Sequence, residues 1–150
     1  MLGAIAGDVI GSVHERTRTK TKSFPLLTPE SRFTDDTVLT VAVADRLLHG
    51  GNYVNTLHDY FHAYPNAGYG GTFWMWATER RRESYQSWGN GSAMRVSPVA
   101  YFGTTLEEVL SEAKRSAEVT HNHVEGIRGA QATAAAIFLA RTGGTKEQIR

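Results

Sequence analysis

The stretch that decides the fold is Thr34-Asp35-Asp36-Thr37-Val38-Leu39-Thr40-Val41-Ala42-Val43-Ala44-Asp45-Arg46-Leu47-Leu48-His49-Gly50-Gly51. Its apolar residues Val38, Leu39, Val41, Ala42, Val43, Leu47 and Leu48 recur at helical spacing, and Gly50-Gly51 ends the pattern. The spacing predicts a helix over residues 37–49. The two adjacent carboxylates, flanked by hydroxyls, then sit in the loop or first turn that enters it. Two readings of the acidic pair stand side by side. Hard cations such as Mg²⁺ or Mn²⁺ take carboxylate and hydroxyl oxygens converging from a rigid turn. Asp and Thr are also favoured at helix N-caps and first turns whatever the function.

Outward from this segment the chain reads as helices with polar punctuation. Residues 2–13, rich in Gly and Ala, form a first helix whose small side chains let a neighbouring backbone come close. Residues 16–32 lack apolar periodicity, carry Pro25 and Pro29, and read as a long loop of the kind that often holds function. A third helix over 53–64 stops before Pro65. The turn-rich run Pro65-Asn66-Ala67-Gly68-Tyr69-Gly70-Gly71 feeds a helix over 72–82, and an apolar segment over 93–102 is interrupted at Pro98. Thr105 with Glu108 makes a capping box for a helix to about Val119. His121-Asn122-His123 breaks it, and an Ala-rich helix over 124–141 ends at Gly143-Gly144. No run alternates with period two for long enough to make a strand, so the fold class is all-α.

Composition bounds the function. A chain of 150 residues is about one domain. Its 41% hydrophobic and 21% charged residues describe a soluble globular protein, and no apolar run reaches the ~20 residues a bilayer requires. The formal charge of +1 gives no electrostatic case for a nucleic-acid or membrane partner. Two local basic clusters, Arg16, Arg18, Lys20, Lys22 and Arg80, Arg81, Arg82, read as solvated faces. Absence of cysteine excludes disulfides and thiolate metal sites. The apolar N-terminal stretch lacks a basic lead-in and contains Asp8, which argues against a signal peptide. The expected location is cytoplasmic.

Polar, Gly-rich segments between the helices hold groups suited to a nucleotide-like ligand. Amides at Gly68, Gly70 and Gly71, entering a helix, can cradle a phosphate, although glycines mark any helix-to-helix turn. In Ser87-Trp88-Gly89-Asn90-Gly91-Ser92 an aromatic next to exposed amides suits stacking on a base, or else Trp88 belongs to the core. His121 and His123 suit metal, phosphate or a helix-end partner. Glu15 places a carboxylate at the mouth of the long loop, where burial would fit it for acid–base work and exposure would make it an ordinary surface residue.

The ordered set Gly7-Asp8-x-x-Gly11-x-x-x-Glu15, Phe33-Thr34-Asp35-Asp36-Thr37, Gly68-Tyr69-Gly70, Gly89-Asn90-Gly91-Ser92-Ala93-Met94-Arg95 and Thr120-His121 resembles the N-terminal half of the ADP-ribosylglycohydrolase family, which includes the dinitrogenase reductase-activating glycohydrolases. The resemblance runs from about Leu2 to Leu139. It implies an all-α fold with two Mg²⁺ or Mn²⁺ ions in a cleft, and hydrolysis of the bond between ADP-ribose and a protein side chain. By the same resemblance Thr34, Asp35 and Asp36 are metal ligands, and Glu15 and Asp36 are catalytic residues. Gly68, Gly70, Ser87, Trp88, Gly89, Asn90, Gly91 and His121 are implied to hold the ADP-ribosyl group, with Trp88 stacking on adenine.

One departure matters. The family completes its metal site with an Asp-x-Asp-Thr/Ser motif in the C-terminal half, and no Asp-x-Asp occurs here; the last aspartate is Asp59. A second capping box, Thr145 with Gln148, opens a helix that reaches only Arg150. Residues 1–150 are therefore expected to be the N-terminal portion of a single catalytic domain, with half a metal site, and to associate with a C-terminal fragment or with themselves. Expected partners are ADP-ribosylated protein or ADP-ribose. Two other functions stay open: a non-catalytic ADP-ribose-binding or structural relative, and a metal-dependent nucleotide phosphoester hydrolase.

Overall fold

The computed structural model describes residues 1–15 and 19–150, and no strand occurs among them. Helix α1 spans Leu2–Gly11, α2 Asp35–His49, α3 Tyr53–Ala63 and α4 Gly71–Thr78. Two single turns follow, α5 at Gly91–Met94 and α6 at Val99–Phe102. Helices α7, Leu106–Glu118, and α8, Val124–Arg141, precede the short α9 at Lys146–Ile149. The all-α expectation holds.

Helix α2 is the axis of the fold because it buries both flanks. On one side Leu39 and Ala42 meet Val54, Leu57 and Phe61 of α3 and Phe73, Trp76 and Ala77 of α4. On the other, Val43 and Leu47 join a cluster that includes Val96, Val99, Val109 and Phe138. Ala113 and Ala117 of α7 and Ala130 and Ala134 of α8 belong to that second cluster, and side chains that small let the two backbones approach closely. Burying each Val or Leu contributes roughly 1.5–3 kcal/mol, so α2 fixes the position of whatever its N-terminus carries. A polar clamp supports it: Arg46 Nη1 and the Tyr53 hydroxyl both donate to Glu112 Oε1, at 2.8 and 2.7 Å, tying α2, α3 and α7 together.

Helix α1, like the short α9, buries no residue. It ends at Gly11, short of the expected Val13, because Ser12 Oγ donates to the Val9 carbonyl at 2.9 Å and accepts from Arg32 N at 3.1 Å. Helix α4 ends at Thr78 rather than near Arg82. Arg81 N reaches back to the Trp76 carbonyl, and Arg80 sits in the left-handed region at φ 48°, closing the helix without the glycine that usually marks such a stop. Of the long loop, residues 16–18 lie outside the described residues. No described helix is long and apolar enough to cross a membrane.

Candidate active site

The start of α2 is built by one carboxylate from α1. Asp8 Oδ1 accepts from the Thr34 hydroxyl at 2.6 Å, and Oδ2 accepts from Thr34 N at 2.8 Å and Thr37 N at 3.2 Å as well as from the Thr37 hydroxyl. Thr34 is also the N-cap of α2, its hydroxyl accepting from Asp36 N at 3.3 Å. The capping reading of the Thr-Asp-Asp-Thr segment is therefore correct. It does not displace the cation reading, because the same cap aims both carboxylates.

Asp8, Glu15 and Asp36 each present a carboxylate oxygen, and these oxygens lie within 4.8 Å of one another. Burial, followed by repulsion from Asp36 and opposed by a backbone hydrogen bond, lifts the Asp35 pKa to about 6. Burial and then the charges of Asp8 and Glu15 raise that of Asp36. Crowded carboxylates that resist ionisation are what a hard divalent cation relieves, so the donor set fits Mg²⁺ or Mn²⁺. Asp8 is the least suited of them to bind an ion directly, since its oxygens already receive four hydrogen bonds. It organises the others. Thr34 keeps one hydroxyl lone pair uncommitted.

Two clefts flank this acidic ridge. The first, about 240 Å³, runs from Asp35 and Leu39 past the start of α4 at Gly70, Gly71 and Thr72 to Ser87, Gly89, Asn90, Gly91 and His121. No side chain among the described residues caps α4, whose first residues line the cleft. The second cleft, about 630 Å³, is bounded by Glu15, His14, Glu30, Arg32, Thr34 and Gly68. The ridge between them is pinned where Asp35 N donates to the Ala67 carbonyl at 2.8 Å.

At the far end of the first cleft His121 is buried, and burial followed by the charge of Arg95 pulls its pKa down to about 4, leaving a neutral imidazole. Its Nδ1 lies 2.8 Å from the Thr120 hydroxyl. Close packing holds it: a Cβ on Gly91 would come within 2.9 Å of His121 Cε1, and one on Gly126 within 2.7 Å of the Ser87 carbonyl oxygen.

The structure thus brings Asp35, Gly70, Ser87, Gly89, Asn90, Gly91 and His121 to one cleft, and Glu15, Thr34 and Gly68 to the other. Trp88 lines neither. It is 74% exposed, so it is not a core residue. Glu15 is exposed, so the burial that would tune it is not supplied by the described residues. Asp8, quoted in the motif set but given no role there, is the residue that holds the start of α2. Its signal was a lone carboxylate inside an apolar helix, which needs donors from somewhere.

The fold is helical, with an acidic helix start between two clefts. The family model described as ADP-ribosylglycohydrolase matches residues 1–150, and the chain belongs to that family. It is similar to ADP-ribosylhydrolase ARH3 of Mus musculus, 29% identical over 178 residues that cover 95% of this chain and 48% of the relative. The Homo sapiens ARH3 is 28% identical, with 95% and 49% covered. ADP-ribosylarginine hydrolase Tri1 of Pseudomonas putida (strain GB-1) is 27% identical, with 99% and 47% covered. The chain spans about half the length of these curated relatives.

Proposed function

We propose that this chain supplies the nucleotide side and part of the acidic site of a metal-dependent hydrolase that removes ADP-ribose from modified protein side chains or related ADP-ribosyl conjugates. The observation that carries the reading is the position of Asp35: it lines the first cleft while its neighbours Thr34 and Glu15 line the second. A glycosidic bond lying across the ridge would place its ribose beside the acidic pair, its diphosphate along the start of α4, and its leaving group in the second cleft.

The chain's own residues divide the work accordingly. The first amides of α4 bind the diphosphate, where the positive end of the helix dipole favours an anion. Neutral His121 and the Ser87, Gly89, Asn90 and Gly91 backbone close the far end of the cleft around the nucleoside. Asp35 and Asp36 orient the ribose hydroxyls and stabilise the positive charge that develops on the sugar as the bond breaks. Glu15, which lines the second cleft, donates the proton to the leaving group. Asp36 accepts the proton of the attacking water. One or two Mg²⁺ or Mn²⁺ ions, held by Asp35, Asp36 and Thr34, would supply a Lewis acid and lower the pKa of a bound water.

The test is release of ADP-ribose from an ADP-ribosylated protein, using the polypeptide at its natural length with Mg²⁺ and with EDTA. We expect Mg²⁺-dependent release of intact ADP-ribose, abolished in Asp36→Ala with helical content retained. Binding without release would replace the reading with a non-catalytic one, and AMP as product would replace it with phosphoester hydrolysis.

A further inference from the structure

A buried cation lies in the floor of the first cleft. Arg95 is fully buried and lines that cleft beside Met94 and His121. Its Nη2 donates to the Ser116 carbonyl at 2.9 Å and to the Thr120 hydroxyl at 2.8 Å. Its Nε and Nη1 have no protein acceptor among the described residues. No carboxylate among the described residues pairs with it. The acidic groups that act on it are the phenols of Tyr85 and Tyr53, both pushed upward by burial and so neutral at pH 7. Burial lowers the Arg95 pKa to about 10, which leaves the guanidinium charged at neutral pH.

One group offsets the charge in part. Ser116 lies in the last turn of α7, whose terminal carbonyls carry roughly half a negative charge. The balance of the positive charge remains, and a buried charge lacking a full partner is costly until one arrives. His121, neutral beside it, adds nothing to compete.

We propose that Arg95 is a positioning residue of this cleft: its buried, incompletely neutralised guanidinium selects a ligand carrying a dianionic diphosphate over an uncharged nucleoside. The proposal rests on the reading of the first cleft as the nucleotide site. The α4 amides make the direct contacts, and Arg95 acts through a floor of low dielectric where its field is screened little. Asp35, of opposite sign, closes the other end of the same cleft. The pair therefore orients a ligand that is anionic toward Arg95 and hydroxylic toward Asp35.

The experiment compares wild type with Arg95→Gln, which keeps donors for Ser116 and Thr120 without the charge, and Arg95→Lys, which keeps the charge. Binding of ADP-ribose, inorganic pyrophosphate and adenosine is measured calorimetrically in EDTA. We expect Arg95→Gln to weaken ADP-ribose and pyrophosphate by about tenfold or more, as the loss of a little-screened charge would, and to leave adenosine within about twofold. Arg95→Lys should retain the preference for ADP-ribose over adenosine. Unchanged ADP-ribose affinity in Arg95→Gln, or an equal loss for adenosine, would overturn the proposal and leave Arg95 as the cap of α7. Should Arg95→Gln fail to fold, the wild type decides: pyrophosphate must raise its melting temperature, and no rise overturns the proposal. Arg95-dependent pyrophosphate binding with no binding of ADP-ribose would instead overturn the nucleotide reading and leave the anion site standing.

Discussion

Asp35 is the residue whose ordinary chemistry the fold changes most. Its folded pKa of about 6 stands above the 3.8 of a free carboxyl, so its ionised form opposes folding. That cost is absent below about pH 4, grows between pH 4 and 6, and is complete at pH 7. Asp35→Asn should therefore raise the melting temperature of the cation-free protein at pH 7, with the gain vanishing toward pH 4. The same variant should lose the stabilisation that Mg²⁺ gives the wild type. His121 works in the opposite sense, losing stability as pH falls from 6.5 toward 4, so the difference between variant and wild type is the quantity to read from thermal melts. A variant less stable than wild type at pH 7 would mean that the crowding of carboxylates costs nothing. Trp88 makes a simpler case. Largely exposed and lining neither cleft, it should tolerate Trp88→Ala with a stability change within about 0.5 kcal/mol. If it stacks on adenine, ADP-ribose binding should weaken by roughly 1–3 kcal/mol, and calorimetry that shows unchanged affinity would remove it from the site. Sequence alone left Trp88 between core and site, because a tryptophan's burial depends on neighbours remote in the chain. Asp8 was hidden for the same reason: its partners Thr34 and Thr37 lie 26 and 29 residues away.

Helices, by contrast, announce themselves locally. Both capping boxes, Thr105 with Glu108 and Thr145 with Gln148, form as their spacing implied, and α8 has the bounds its alanine pattern gave. Helix α4 ran short because its stop is a backbone event at Arg80, a residue type that carries no stop signal. Spacing within one helix also cannot reveal what lies across from it, and Gly126 shows the consequence. In α8 it faces the Ser87 carbonyl and His121, with no room for a methyl group, whereas Gly129, one turn later, meets nothing. Gly126→Ala should cost about 1–3 kcal/mol and displace the Ser87 segment, weakening ADP-ribose binding. Gly129→Ala should stabilise by up to about 1 kcal/mol. Urea denaturation of the pair checks this directly, and equal effects at the two positions would mean that the loop adapts to the intrusion.

At the scale of the whole molecule, several large apolar side chains stand in water. Leu2, Leu48, Tyr101 and Phe102 are exposed, and Leu48, Tyr101 and Phe102 border a shallow apolar groove with Met1, Leu47 and Pro98. Patches of that kind usually meet a partner. We expect residues 1–150 in isolation to self-associate in sedimentation and to bind Mg²⁺ weakly, because three ligands fill two octahedral spheres poorly. A compact monomer that bound two ions tightly would show that further ligands lie within these residues. Helical architecture was legible from apolar spacing and the family from motif order, since Thr34–Thr37, Gly68–Gly70 and Thr120-His121 sit at helix ends where local signals are strong. The division of the site into two clefts was not, because it depends on how the Pro65-to-Gly71 turn lies over α2.

Helix α1 buries nothing and is fastened to the rest chiefly through Asp8. Its attachment is thus a handful of polar contacts rather than a share of either core cluster. Such an element forms a separate unit of local opening, with a free energy well below that of global unfolding. When α1 lifts, the start of α2 loses its clamp while Leu39, Val43 and Leu47 stay packed. The carboxylate cluster can therefore come apart and reassemble within an intact fold, so its lifetime is set by the comings and goings of one helix and not by the stability of the molecule.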